Sequence, residues 1–160
     1  MFDPTIFDNL KVILEGAVYD LDLAGTLSVT GRKDLVDLSS MSRTYVIRFG
    51  LRDEDGTSPF PQAELQLETG LKDLAGELLS LENVEPGCSL RLWFDIRLAD
   101  GSSYRDVCLV LERLLHEVWG NRYEVRHQLS FEPGREEQGA TLRTEIVFGR
   151  RFDEILATDI

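Results

Sequence analysis

The stretch SLRLWFDIRL, residues 89–98, constrains the fold more than any other part of the chain. Leu90, Leu92, Phe94, Ile96 and Leu98 fall on one phase, and Arg91, Trp93, Asp95 and Arg97 on the other. A period of two is that of a β-strand with one face in a core and one in water. A strand buried on both faces of a parallel sheet reads instead as a continuous apolar run. The alternation therefore predicts a mostly antiparallel sheet with one covered face. It also raises a question, because the water phase carries two arginines and a tryptophan in a chain of net charge −12.

The same pattern recurs along the chain. Tyr45, Ile47, Phe49 and Leu51 define one strand; Tyr123, Val125, His127, Leu129 and Phe131 another; Leu142, Ile146 and Phe148 a third. Leu27 and Val29 begin a strand that is expected to run out near Gly31. Leu10, Val12 and Leu14 alternate too, and the phase then flips to Tyr19, Leu21 and Leu23, so a strand with a β-bulge near Gly16 is expected there. Asp3-Pro4 reads as a helix start with a single turn to about Asn9, and Ala24-Gly25 as a turn. Residues 62–68 read as a short strand or the opening of a helix.

Two helices stand out. Leu67, Leu71, Leu74, Ala75 and Leu78 follow helical spacing over about 69–81. Ser103, with Asp106 three positions on, reads as an N-cap. After it Tyr104, Val107, Cys108, Leu111, Leu114, Leu115 and Val118 form one apolar stripe to about Trp119. The segments 53–61 and EPGREEQG read as loops, ENVEPGC as a helix breaker, and RFDEILATDI as a final short helix. A short echo links FGLRDEDGTS (from Phe49) with FDIRLADGSS (from Phe94). The predicted class is α+β, a single domain over 1–160, with a mostly antiparallel sheet of about six strands and two main helices packed on one face.

The chain has 160 residues, 42% of them hydrophobic and 29% charged, which is a globular composition long enough for its own core. The net charge of −12 argues against nucleic-acid and anionic-membrane partners, which call for a positive field. No apolar run approaches a membrane span, and MFDPTIFDN lacks the basic and apolar regions of a secretory signal. The two cysteines, Cys88 and Cys108, have no metal-ligand spacing and read as free thiols in a reducing cytoplasm. Neither a metal nor a cofactor is expected. Positive charge comes from fourteen arginines and three lysines.

Alternation assigns to the sheet's polar phase Arg48 and Arg52; Arg91, Trp93, Asp95 and Arg97; Arg122, Glu124 and Arg126; and Arg143 and Glu145. Such a face is either a solvated surface of cross-strand Arg–Glu pairs or a contact surface, since Trp and Arg are enriched where partners bind. Other candidates are weaker. Asp20 and Asp22, if on a strand, point the same way roughly 6–7 Å apart. His116 follows Glu112 by one helical turn, and His127 sits on an apolar phase as a core histidine. Cys108 falls on the buried stripe, leaving Cys88 as the more accessible thiol. No glycine-rich phosphate loop or nucleophile elbow occurs.

These readings lead to a non-enzymatic cytoplasmic interaction module. Its partner is a second copy of itself, in a homodimer, or another protein, met by Arg91, Trp93, Arg97, Arg122, Arg126 and Arg143. The alternatives are an anionic small-molecule binder on the same face, and a small hydrolase or transferase using Asp20/Asp22 or Cys88 with a histidine.

Overall fold

The structure, a computed structural model, describes residues 5–52, 61–80, 87–99, 101–134 and 139–148. The predicted segments at 1–4, 53–60, 81–86, 135–138 and 149–160 lie outside the described residues, as does much of the proposed internal echo. The element order is α1 (Thr5–Leu23), β1 (Leu27–Asp37), β2 (Ser42–Leu51), β3 (Gln62–Thr69), α2 (Leu71–Leu79), β4 (Ser89–Leu98), α3 (Tyr104–Trp119), β5 (Tyr123–Ser130) and β6 (Ala140–Phe148). The strands form one six-stranded sheet in the order β1-β2-β3-β4-β6-β5, and every neighbouring pair is antiparallel. The class is α+β, as the alternation of β4 predicted.

The one large correction is at the start. Residues 5–23 form a single helix, where a helical turn followed by a bulged strand was expected. The helix buries Phe7, Leu10, Leu14 and Val18, a spacing of three and four residues that follows the helical period. Val12, which supplied the apparent alternation, is 67% exposed. The flip in phase at Gly16 was the rotation of a helix, not a bulge. The helix ends at Gly25, whose φ of +78° is open to glycine at little cost, with the N–H groups of Ala24 and Gly25 donating to the carbonyls of Asp20 and Asp22. A register shift does occur, between Val29 and Gly31 of β1. That strand continues past Gly31 to Asp37, further than expected.

Residues 62–68 are strand, and β3 alternates strictly between buried and half-buried positions. Leu67 thus belongs to the sheet, and the following helix begins only at Leu71. The cap predicted for α3 is present, with Ser103 Oγ accepting from the Asp106 N–H at 3.3 Å.

The core lies on one face of the sheet. Side chains of α1 and Leu115 of α3 share a buried cluster with Tyr45, Ile47, Leu65, Leu67, Leu90, Leu92 and Ile146. The register places those strand residues on one phase: Tyr45 opposes Leu67 and Leu67 opposes Leu90, while Ile47, Leu65, Leu92 and Ile146 form the next row. Polar groups tie α1 down as well. Arg43 donates to Asp34 through Nε and Nη2, both at 3.0 Å, and to Asp8 through Nη1 at 2.9 Å. Lys11 pairs with Asp34, and Arg32 with Glu15. The carboxylate of Glu77, on α2, accepts the N–H groups of Thr5 and Ile6, satisfying two of the donors a helix leaves open at its start.

Candidate functional site: the open sheet face

The other phase of the sheet carries the residues singled out by alternation. Successive registers bring four of them, with Glu64 of β3, into one row across five strands: Arg48, Glu64, Trp93, Glu145 and Arg126. A second row runs Gln62, Asp95, Arg143 and Gln128. A third runs Lys33, Val46, Gln66, Arg91, Val147 and Glu124. On β3 the core-phase residues Ala63, Leu65 and Leu67 are buried, whereas Glu64, Gln66 and Glu68 of this phase are only half-buried.

The charges here are largely paired with one another. Arg48 binds Glu64, Arg143 binds Asp95 at 3.3 Å and lies 3.9 Å from Glu64, and Arg126 lies 3.9 Å from Glu145. The guanidinium of Arg143 also sits over the ring of Trp93, 5.6 Å from its centroid, within cation–π range. Trp93 is therefore half-buried by its own neighbours, the middle of a charge-balanced plate. Five arginines of this face (Arg48, Arg91, Arg97, Arg126, Arg143) accompany five carboxylates (Glu64, Glu68, Asp95, Glu124, Glu145). The face is close to neutral, while the whole chain carries −12.

Two expected members lie elsewhere. Arg52 follows β2 and reaches to α1, donating to Asp22 Oδ1 at 2.9 Å. Arg122 precedes β5 and is exposed in the turn after α3. Among the described residues no ion pair forms to Arg91 or Arg122.

The residues considered for catalysis do not assemble. Asp20 and Asp22 lie two positions apart on a helix, about 200° around its axis, so they do not share a face. Asp22 is occupied by Arg52 and by the Val29 N–H. The cysteine expectation is reversed: Cys88 is 1% exposed in the core cluster, and Cys108 is the more accessible. Burial, and then the nearby Glu112 carboxylate, push the Cys108 thiol up, away from the thiolate a nucleophile needs.

The histidines found partners that sequence spacing did not indicate. Glu112 turns from His116 to His127, whose Nε2 lies 3.0 Å from Glu112 Oε1 and whose Nδ1 lies 2.9 Å from Thr144 Oγ1. This hydroxyl–imidazole–carboxylate order is that of an acyl-transfer triad. Thr144, however, is 0% exposed, so its hydroxyl cannot meet a substrate, and the chain of contacts serves instead to fasten α3 to β5 and β6. His116 Nδ1 lies 3.2 Å from the Gly120 carbonyl at the helix end. Thr144 was missed because its partner is seventeen residues away and only the β5–β6 register, His127 opposite Thr144, joins them.

An open cavity of about 260 Å³ lies beside Leu98, Tyr104, Leu129 and Phe131, on the helix side of the molecule and apart from these groups. Among the described residues no three His, Cys, Asp or Glu side chains gather as metal ligands, and no helix is long and apolar enough to cross a membrane. Comparison with protein families, with curated protein sequences and with solved structures finds no match for this chain.

Proposed function

We propose that this protein is a non-enzymatic interaction module that associates with itself through the open face of its sheet. The observation that carries the reading is the charge-balanced row around Trp93, near-neutral and opposite the phase that packs α1 and Leu115 of α3, in a molecule whose mean charge repels its copies. A face without net charge is where two such acidic chains approach at least electrostatic cost. Arg and Trp at its centre are the residue types that dominate binding energy when desolvated. An isologous contact asks that one patch complement itself, and interspersed Arg and Glu meet that condition.

The anionic-ligand alternative is weaker, because Arg126 and Arg143 already meet carboxylates that a ligand would have to displace. A cytoplasmic setting accompanies the proposal, in keeping with two thiols that form no disulfide.

Sedimentation equilibrium with tryptophan emission tests the reading. The wild type is expected to be dimeric with a blue-shifted Trp93 contribution, taken as the difference from Trp93→Ala, which retains Trp119. Combining Trp93→Ala with Arg97→Glu is expected to shift the population to monomer. A double variant whose association matches the wild type overturns the proposal. A saturable rise in melting temperature with phosphate or citrate, on a monomeric wild type, transfers the face to the ligand reading.

A further inference from the structure

Resting on that reading, we infer that the second copy docks face to face about a twofold axis parallel to the strands and midway between β3 and β4. The order of charges across the sheet excludes the simpler placements. In the central row the sequence of strands reads Arg48, Glu64, Trp93, Glu145, Arg126, which is symmetric about Trp93. A twofold axis running along β4 therefore sets Glu64 over the Glu145 of the other copy and Arg48 over its Arg126. An axis across the strands through this row sets each charge over its own copy, Arg48 on Arg48 and Glu64 on Glu64. Like charges juxtaposed in a contact cost several kcal/mol.

Moving the axis by half a strand spacing removes every such clash. The sheet has six strands, so the line between β3 and β4 is its midline, and β1 then faces β5, β2 faces β6 and β3 faces β4 of the other copy. In the central row Arg48 meets Glu145 and Glu64 meets Trp93. In the next row Lys33 meets Glu124, Val46 meets Val147 and Gln66 meets Arg91. On the other side Gln62 meets Asp95, and Gly50 lies opposite Arg143. Among the described residues no position places like charge on like charge, and Val46 of β2, itself only 9% exposed, lies opposite the half-buried Val147 of β6. The line between β4 and β6 is also free of clashes, but it leaves β1 and β2 without a partner strand.

The area is adequate. Six strands at roughly 4.8 Å, each roughly eight residues long at 3.3 Å per residue, give a plate of roughly 760 Å² per copy. That approaches the roughly 800 Å² per partner of standard stable interfaces. Aligned sheets cross at about 30°, so the central rows meet best and the corners least.

Charge reversal in complementary pairs decides the matter. Arg48→Glu and Glu145→Arg, each folded by circular dichroism, are expected to weaken their own dimers at least 10-fold, while an equimolar mixture of the two regains wild-type affinity as a heterodimer. Lys33→Glu and Glu124→Lys form a second pair with a smaller effect of the same form; among the described residues neither position is ion-paired within one chain, so these variants keep the fold intact. Restoration on mixing in either pair supports the axis. A dimeric wild type whose variants stay weak when mixed, or never weaken, overturns the axis and leaves self-association standing. A wild type that stays monomeric up to 0.5 mM overturns both.

Discussion

Helices α1 and α3 both lie on the core side of one sheet, yet they are held in opposite ways. The first buries four side chains across its length and is clasped by Arg43, Lys11 and Arg32 to Asp8, Asp34 and Glu15. The second buries only Leu115, although its apolar stripe is the cleaner of the two in sequence. Val110, Leu114 and Val118, spaced four apart along one side, are 45%, 49% and 69% exposed. Amphipathic spacing thus reports that a helix has an apolar side, not how much of that side the fold covers. The cover is decided by the width of sheet beneath the helix and by the groups that draw it down.

The contrast is sharpest for truncations. Leu10→Ala in α1, which is fully buried, is expected to cost about 2–5 kcal/mol in urea unfolding, whereas Leu114→Ala in α3 costs under about 1 kcal/mol. Equal losses at the two positions would erase the distinction. Next in size, Arg43→Met removes the bidentate contact with Asp34, the contact with Asp8 and a guanidinium 4.8 Å from the Phe7 ring. A loss of about 2 kcal/mol is expected, together with faster amide exchange in α1. Glu112→Ala leaves His127 bonded only to Thr144 and is expected to cost about 1 kcal/mol, with faster exchange confined to α3. Exchange rising in α1 as well would mean that the helices open as one unit.

How much of this was legible depended on whether the partners were near in sequence. The β4 strand, the α3 cap and the α2 helix rest on local periodicity and capping, and local patterns carry them. α1 was misread because its apolar residues satisfy a two-residue period and a helical period over the same span, and only packing selects Leu10, Leu14 and Val18 over Val12. Arg48, Arg91, Trp93, Arg97, Arg126 and Arg143 lie on the phase away from the core, since alternation is enough to sort a strand's faces. Its pairing was not, because the meeting of Arg143 with Asp95 depends on the register between β4 and β6. Arg52 was misplaced because alternation stops applying once the strand ends.

Acid is expected to act on the α1 side first. Arg43, and then Lys11, hold the Asp34 carboxyl below the usual carboxylate range, and hydrogen bonds from Ser39 bring Asp37, at the end of β1, down to about 2. Both pKa values are lower folded than unfolded. Their contribution is therefore present above the ordinary carboxylate pKa near 4 and is lost as pH falls through the folded values. Unfolding midpoints between pH 5 and 2 should decline, and Asp34→Asn should flatten part of that slope; an unchanged slope would remove Asp34 from the account. The smallest effect is expected at Tyr45, fully buried, whose hydroxyl has no hydrogen-bond partner among the described residues. Tyr45→Phe should shift stability by less than about 1 kcal/mol, in either direction.

The contact between Glu77 and the first turn of α1 has a consequence for biosynthesis. Helix α1 leaves the ribosome before the sheet that covers it, and the carboxylate that closes its N-terminus lies more than seventy residues later. The sheet residues that receive its apolar side, Tyr45 through Leu90, also follow it. At roughly 5–20 residues per second, that helix waits for several seconds with Phe7, Leu10, Leu14 and Val18 uncovered. The nascent chain thus passes through an interval in which α1 is open to a chaperone, and that interval closes only after β4 and β6 have followed α2.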